Sequence, residues 1–311
     1  MILVAGSANL DFVVRAKHIP APGETVLGES FATYPGGKGA NQAVACARAG
    51  GATTHMLLAL GQDMYAQPLE ASLRDAGVHM HVIRAADKAT GTAFICVSDD
   101  AENAITVAPG ANHALRAEHL PDLAGFSHLL MQLESPLSTV TDYARAARAA
   151  GVQVVLNAAP AQALGYELLG LLDILIVNEG ELTSLTRPGA SIASQLHQLQ
   201  VPIVVVTLGA RGCCARIGAD HVLQPAFAIT PVDTTGAGDT FCGVLVASLG
   251  QGVDMAGALR HASAASALAC TVPGAQSSVP DQAAVARFLE RQSPASEDQI
   301  ASLRTFCGLP P

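Results

Sequence analysis

No run of basic residues occurs in this 311-residue chain, and charged residues of either sign make up only 14% of it. The 17 lysines and arginines face 26 aspartates and glutamates, a formal net charge of −9. The positive footprint that follows a phosphate backbone is therefore missing, so no nucleic-acid partner is expected. A disulfide or zinc pattern is missing too. The seven cysteines, at 46, 96, 213, 214, 242, 270 and 307, contain no C-x-x-C pair, and the ten histidines show no metal spacing. Such an odd, scattered set reads as buried reduced thiols. No apolar run approaches the roughly 18 residues of a membrane span, so no membrane partner is expected. The opening MILVAGSANLD lacks the basic start and long apolar core of a secretory leader, which makes a cytoplasmic location the expectation. Internal repeats and low-complexity stretches are also absent.

Half of the residues are hydrophobic, enough at this length to bury a sizeable core. Short runs rich in Val, Ile and Leu at 2–5, 55–60, 129–132, 152–157, 174–177 and 203–207 read as buried parallel strands. Helical patterns at 40–49, 68–75, 138–150 and 238–249 lie between them. This alternation predicts an α/β fold, a mostly parallel sheet with helices on both faces and ligand sites where strands end. Two stretches break the rhythm. Residues about 12–35 and 91–107 read as antiparallel strands, the second a hairpin around 100–103, and suggest a small β-lid inserted in a single domain over 1–311. The polar segment 292–311 reads as a dispensable C-terminal extension.

The strongest motif is Val232-Asp233-Thr234-Thr235-Gly236-Ala237-Gly238-Asp239-Thr240-Phe241, ahead of the apolar run CGVLVASL. Small residues there let backbone amides point into a concavity at a helix start, a seat for phosphate or a developing oxyanion. Asp239 falls in the first turn, as a catalytic carboxylate or as a helix cap. Gly36-Gly37-Lys38-Gly39-Ala40-Asn41-Gln42-Ala43 lacks the spacing and the hydroxyl of a P-loop. Its glycines suit close backbone approach to a polar ligand or a tight strand-to-helix turn, and Asn41 is both donor and acceptor. Asn9 and Asp11, two apart on one strand face, suit vicinal sugar hydroxyls or a plain turn. Glu134 in MQLES and the cluster Asn178-Glu179-Gly180-Glu181 follow strands, where ligand loops occur. Thr207-Leu208-Gly209-Ala210-Arg211-Gly212 is a glycine-rich turn into a further strand, and His261 lies inside a helix starting near Met255.

Taken in order, these motifs resemble the PfkB carbohydrate kinase family over residues about 2–280. GGKGANQA is similar to the family's first signature, and DTTGAGDTF to its second, in which the catalytic aspartate stands at the position of Asp239. The resemblance implies a three-layer α/β/α ribokinase-like fold with an inserted β-lid, and phosphoryl transfer from ATP to a sugar hydroxyl. NLD at 9–11, GGKGAN, MQLE and GAQSSVP at 274–280 are most similar to members that phosphorylate the 5-hydroxyl of D-ribose. Deoxyribose, fructose or a nucleoside are alternative acceptors, and a non-catalytic sugar-responsive module is the alternative class.

Carried over by position, the resemblance implies that Asn9, Asp11, Gly36, Gly37, Lys38, Asn41 and Glu134 bind the sugar. Asn178, Glu181, Thr207, Gly209, Gly212 and Gly238 would serve the nucleotide and its Mg²⁺, with His261 near the adenine. Gly236, Ala237 and Gly238 would form an anion hole beside Asp239, the base. Asp233, Thr235, Ala269, Val272, Gly274 and Ser278 match positions that hold an activating K⁺, largely through backbone oxygens. A homodimer joined through the lid is implied as well. Asn157-Ala158-Ala159-Pro160 departs from the family's usual N-P-A-P, which bears on a strand-end loop near the nucleotide.

Overall fold

The computed structural model describes residues 1–100, 102–187 and 189–310. From the N-terminus run β1 (Ile2–Ala5), β2 (Asn9–Ala16), β3 (Gly28–Gly36), α1 (Lys38–Arg48), β4 (Thr54–Leu60), α2 (Ala66–Asp75), β5 (His79–Arg84), β6 (Gly91–Val97) and β7 (Asn103–Ala108). Next come β8 (His128–Met131), α3 (Leu137–Ala149), β9 (Gln153–Asn157), α4 (Tyr166–Leu171), β10 (Ile174–Asn178), α5 (Glu179–Leu185) and α6 (Ile192–Gln198). Then follow β11 (Ile203–Thr207), β12 (Gly212–Ile217), β13 (Asp220–Pro225), α7 (Ala237–Gly250), α8 (Met255–Ala269), α9 (Gln282–Glu290) and α10 (Glu297–Cys307). Among the described residues no helix is long and apolar enough to cross a membrane.

Nine strands form one sheet in the order β13-β12-β11-β10-β9-β8-β1-β4-β5. Pairings from β11 through β5 are parallel, and β12 and β13 join antiparallel at one edge. Successive side chains leave opposite faces of a strand, so the apolar runs feed two cores. Val4, Leu58, Leu130, Val155, Ile176 and Val205 point to one, beneath α1, α7 and α8. Leu3, Leu57, Leu129, Leu156, Leu175 and Val204 point to the other, with Tyr143, Leu182 and Leu196 from α3, α5 and α6. The expected three layers follow from this two-sided burial.

Helix α7 is apolar on every side and buried from Asp239 to Ser248, as a helix enclosed by other elements must be. It crosses α1 closely because Gly243 has no side chain: a Cβ there would lie 2.5 Å from the Gln42 carbonyl oxygen. Across the same crossing Cys46 Sγ donates to the Gly243 carbonyl at 3.1 Å. The starts of α1 and α7 are thereby drawn together.

The two irregular stretches form a separate four-stranded sheet, ordered β3-β2-β6-β7. Its outer pairings are antiparallel, but the central pair β2 and β6 is parallel, which corrects the all-antiparallel expectation. The two hairpins come from distant parts of the chain and meet side by side in the same direction. Of the expected turn at 100–103, Ala101 lies outside the described residues.

The segment after 292 also differs from expectation. Ser296 and Gln299 form a capping box that starts α10, and Gly308 in the left-handed region ends it. Leu303 and Cys307 are buried and join the second core beside Leu196 and Cys214. A spacing of four places both on one helix face, a signal that the polar residues around them hid.

Candidate active site

The turn that launches α1 is set by steric closeness. A Cβ on Gly37, whose φ is +89°, would lie 2.7 Å from the Asn9 nitrogen, and one on Gly39 would lie 2.6 Å from the Ser7 nitrogen. A Cβ on Gly36 would strike the Asp11 carboxylate. These glycines therefore admit the chain's own β1–β2 segment, not only a ligand. The close approach seats Glu134 at the start of α1, where its Oε2 accepts from the Lys38 amide at 3.0 Å and from the Ser7 hydroxyl. One carboxylate oxygen is thus anchored, and Oε1 remains for a ligand.

Asp239 stands in the first turn of α7, buried, under the start of α1. Its Oδ2 accepts from Asn41 Nδ2 and its Oδ1 from Gln42 Nε2, both at 2.9 Å. Its side chain caps no helix amide, so the capping alternative has no bond to support it. Gly236 takes φ +73° at the N-cap, where a Cβ would press on Ala275, while a Cβ on Gly238 would meet open space. Of the expected anion-hole amides, that of Ala237 already donates to the Thr234 carbonyl at 3.2 Å. The Gly238 and Asp239 amides have no such partner among the described residues and are the first-turn donors left for a phosphate.

Two clefts adjoin at Thr207 and Gly238, next to Asp239. One of about 140 Å³ is lined by Lys38, Asn157, Asn178, Glu181, Thr207, Gly236, Gly238 and Asp239. The other, about 410 Å³ and mostly apolar, is lined by Thr207, Gly209, Gly212, Phe227, Ile229 and Phe241 among others. Thr207 and Gly238 border both, so an apolar group in the larger cleft would direct its phosphates toward Asp239. Gly212 has a structural reason of its own: at φ +115° a Cβ would strike the Gln224 carbonyl oxygen on β13.

His261 is a correction. Ser263, Ser266, Ala267 and Cys270 line the larger cleft, whereas His261 lies on another face of α8, where its Nδ1 sits 3.4 Å from Ser248 Oγ on α7. Asn178 and Glu181 gain a second role. They form the capping box of α5, with Asn178 Oδ1 accepting from the Glu181 amide and Glu181 Oε2 accepting from the Asn178 amide, both at 2.8 Å.

Asn9 and Asp11 occupy β2, an inner strand of the lid sheet. The register neighbours of Asn9 are Gly36 and Gly91, which leave room on both sides. Its Oδ1 accepts from Asn112 Nδ2 at 2.7 Å, so the group it can offer is its amide NH₂. Asn112, in the turn Gly110–Ala114, also pairs with both backbone groups of Ala8. Sequence reasoning passed over it.

Burial, and then the charges of Glu134 and Asp239, push the Asp11 carboxyl up to about 7 from 3.8. The Asp239 charge, against the opposing effect of burial and with help from Glu134 and Glu181, raises the Lys38 ammonium, which stays charged. An aspartate raised in this way stabilises the fold below its unfolded pKa, and that stability is lost as pH climbs from about 4 through about 7. Asp11→Asn remains neutral throughout. Without sugar its melting temperature should exceed the parent's at pH 8 and approach it at pH 5, and an unchanged difference between the two pH values would refute this.

A model of the pfkB family of carbohydrate kinases matches residues 1–282. The chain belongs to this family. Among relatives of the PfkB chain, ribokinase of Haemophilus influenzae is 38% identical over 302 residues, covering 93% of this chain and 98% of its own. Ribokinase of Bacillus subtilis is 37% identical over 295 residues, covering 93% and 99%. The solved ribokinase of Thermotoga maritima superposes with a TM-score of 0.86 at 34% identity, over 93% of this chain and 99% of that one. Arabidopsis thaliana ribokinase, solved with ribose and ATP, gives 0.86 at 33% identity over 94% and 99%. The family match stops at 282, so α10 lies beyond the part of this PfkB kinase that the family model describes.

Of the residues in the cation expectation, Asp233, Thr235 and Gly274 are brought together. Asp233 Oδ1 accepts from the Thr235 amide at 2.9 Å and its Oδ2 from the Gly274 amide at 2.8 Å, tying the turn before α7 to the loop after α8. Although burial pushes the Asp233 carboxyl up, the Gly274 amide and Thr235 hold it below its usual value. A charged carboxylate among backbone carbonyls is a hard-oxygen donor set, which fits an alkali cation. Among the described residues no group of three or more His, Cys, Asp and Glu side chains is arranged to hold a metal ion, so a cation here would depend on backbone oxygens.

Proposed function

We propose that this kinase transfers the γ-phosphoryl group of ATP directly to the 5-hydroxyl of D-ribose. The observation that carries the reading is the position of Asp239 at a helix start, in a polar pocket that adjoins a purine-sized apolar cleft at Thr207 and Gly238. The ribokinases that match nearly the whole chain, one of them solved with ribose and ATP, support ribose as acceptor. Asn9, Asp11, Asn41, the Gly36–Gly37 backbone and Glu134 bind the sugar hydroxyls. Asp239 accepts the proton of the attacking hydroxyl, while Lys38 and the amides of Gly238 and Asp239 meet the charge on the moving phosphoryl group.

Glu181, with Asn178 beside it, is the group placed to hold Mg²⁺ or its waters on the ATP phosphates, where the ion would neutralise phosphate charge. Burial raises the Glu181 carboxyl, a cost that a cation offsets. The Asp233 corner takes K⁺ and sets the shape of the Gly236–Gly238 turn, away from the substrate. The lid face that bears Asp11 continues into exposed Tyr34, Ile105 and Val107, an apolar surface suited to a second copy and a homodimer.

One series of ADP-release assays tests the reading. Ribose should exceed 2-deoxyribose in kcat/KM by roughly 5- to 150-fold, the effect of leaving one buried polar group unpaired. Rates should rise when K⁺ is added to a buffer free of monovalent metals. Equal kcat/KM for the two sugars would sink the ribose reading, and rates indifferent to K⁺ would remove the cation. A solution mass of one chain would remove the dimer.

A further inference from the structure

The Asp239 carboxylate is held by two separate relays of side chains, buried except for Ser72 at the end of one. On the Oδ2 side stands Asn41, whose Oδ1 accepts from Gln276 Nε2 at 3.1 Å, and Gln276 Oε1 in turn accepts from Ser72 Oγ at 2.6 Å. On the Oδ1 side stands Gln42, which is fully buried. Gln42 Nε2 donates both to Asp239 Oδ1 and to Asn157 Oδ1, at 2.9 and 3.0 Å, and its Oε1 accepts from Gln132 Nε2 at 2.6 Å. Asn157 Nδ2 closes the relay on the Ile176 carbonyl at 3.2 Å.

Each of these amides fixes the orientation of the next. Asn157 donates to a strand carbonyl, so its oxygen faces Gln42. Gln132 donates to the Gln42 oxygen, so the Gln42 NH₂ can only face Asp239 and Asn157. The anchors are Gln132 just after β8, Asn157 at the end of β9 and the Ile176 carbonyl within β10. We infer that Gln42 is a positioning residue for phosphoryl transfer: it occupies Asp239 Oδ1 with a fixed donor and so reserves Oδ2 as the atom that takes the sugar proton. The inference rests on Asp239 being the base.

The chemistry favours this division. Asn41 lies at the sugar end and can exchange its bond to Oδ2 for one to a sugar hydroxyl, whereas Gln42 is sealed from the cleft and has nothing to exchange with. A neutral amide does not titrate, so the donor on Oδ1 is present at every pH. The other charged or titratable groups around Asp239 are Lys38 on α1, Asp11 on β2, Glu134 after β8, Glu181 on α5 and Cys242 on α7. These are common to parent and variant, so a change at Gln42 is read as a difference between two pH profiles.

The test compares kcat against pH for the parent, Gln42→Met and the isosteric Gln42→Glu, with Asp239→Asn alongside. Loss of the donor should move the acid limb of kcat upward by about half a unit or more in Gln42→Met, and the added negative charge should move it further in Gln42→Glu. At pH 7 kcat should fall by roughly 10- to 100-fold while the KM for ribose changes by less than about threefold. Gln132→Met, which frees the Gln42 amide to turn, should shift the limb in the same direction by less, and it keeps the test open if Gln42→Met folds poorly. An acid limb that stays in place in both Gln42→Glu and Gln132→Met, with Asp239→Asn inactive, overturns the inference and leaves Asp239 as the base. Normal turnover in Asp239→Asn removes the base itself, and the inference with it.

Discussion

Asp239→Asn should lower kcat by roughly 10²- to 10⁴-fold, the usual contribution of a positioned general base. The carboxylate is fixed by the Asn41 and Gln42 amides and faces the cleft where Lys38, Glu181 and the Gly238 amide converge. Asparagine keeps the size and can still accept from one of the two amides, but it cannot take a proton from the sugar. Because both neighbours donate, the new NH₂ group has no acceptor on one side. Leaving a buried donor unpaired costs about 1–3 kcal/mol, so the melting temperature should fall by some degrees. Ribose affinity should change far less than kcat. Three measurements on the one variant decide the matter: kcat per folded molecule, sugar affinity and melting temperature. A normal kcat with a lowered melting temperature would falsify the role as base.

Lys38→Met should have the next largest effect, a drop in kcat of roughly 10²- to 10³-fold, the range for losing one group that meets transition-state charge. Lys38 lines the smaller cleft together with Asp239 and Glu181, and the charge of Asp239 is the main cause of its raised pKa. Without it, ATP would bring its phosphates into a cleft of carboxylates with only backbone amides and bound cations to oppose them. Methionine fills similar space, and the backbone bond from the Lys38 amide to Glu134 does not depend on the side chain, so the sugar end keeps its anchor. Lys38→Arg should restore little, since a planar guanidinium presents its donors in another geometry. A kcat within threefold of the parent in Lys38→Met would exclude the ammonium from the transfer step.

The glycine-rich segment 36–39 stands out in the sequence, but the physical reason for its glycines was visible only in three dimensions. The sequence suggested approach to a ligand, whereas Gly37 and Gly39 lie against the Ser7–Asn9 backbone, roughly 100 Å away along a fully extended chain at about 3.5 Å per residue, and meet it only because the lid hairpin folds back. Gln42 sat inside a motif quoted in full and still went unremarked, because a polar residue among alanines announces burial without announcing a partner. Its partners are 90, 115 and 197 residues away in sequence. Strands β5 and β13 escaped the apolar-run criterion because each lies at an edge of the sheet, where His79, Arg84, Asp220 and His221 are tolerated.

The sequence by itself determined the fold class, the order of the apolar strands and the two helix starts that frame the candidate site. Those features are local: runs of Val, Ile and Leu, helical periodicity, and small residues ahead of Asp239 act over a few residues, whatever the rest of the chain does. Tertiary structure alone decided the parallel pairing at the centre of the lid, the place of α10 in the second core, the face of α8 that His261 occupies, and which oxygen of Asp239 is held by Gln42. Each of these depends on contacts between segments distant in sequence, and such contacts arise only when helices and strands pack against one another at close range.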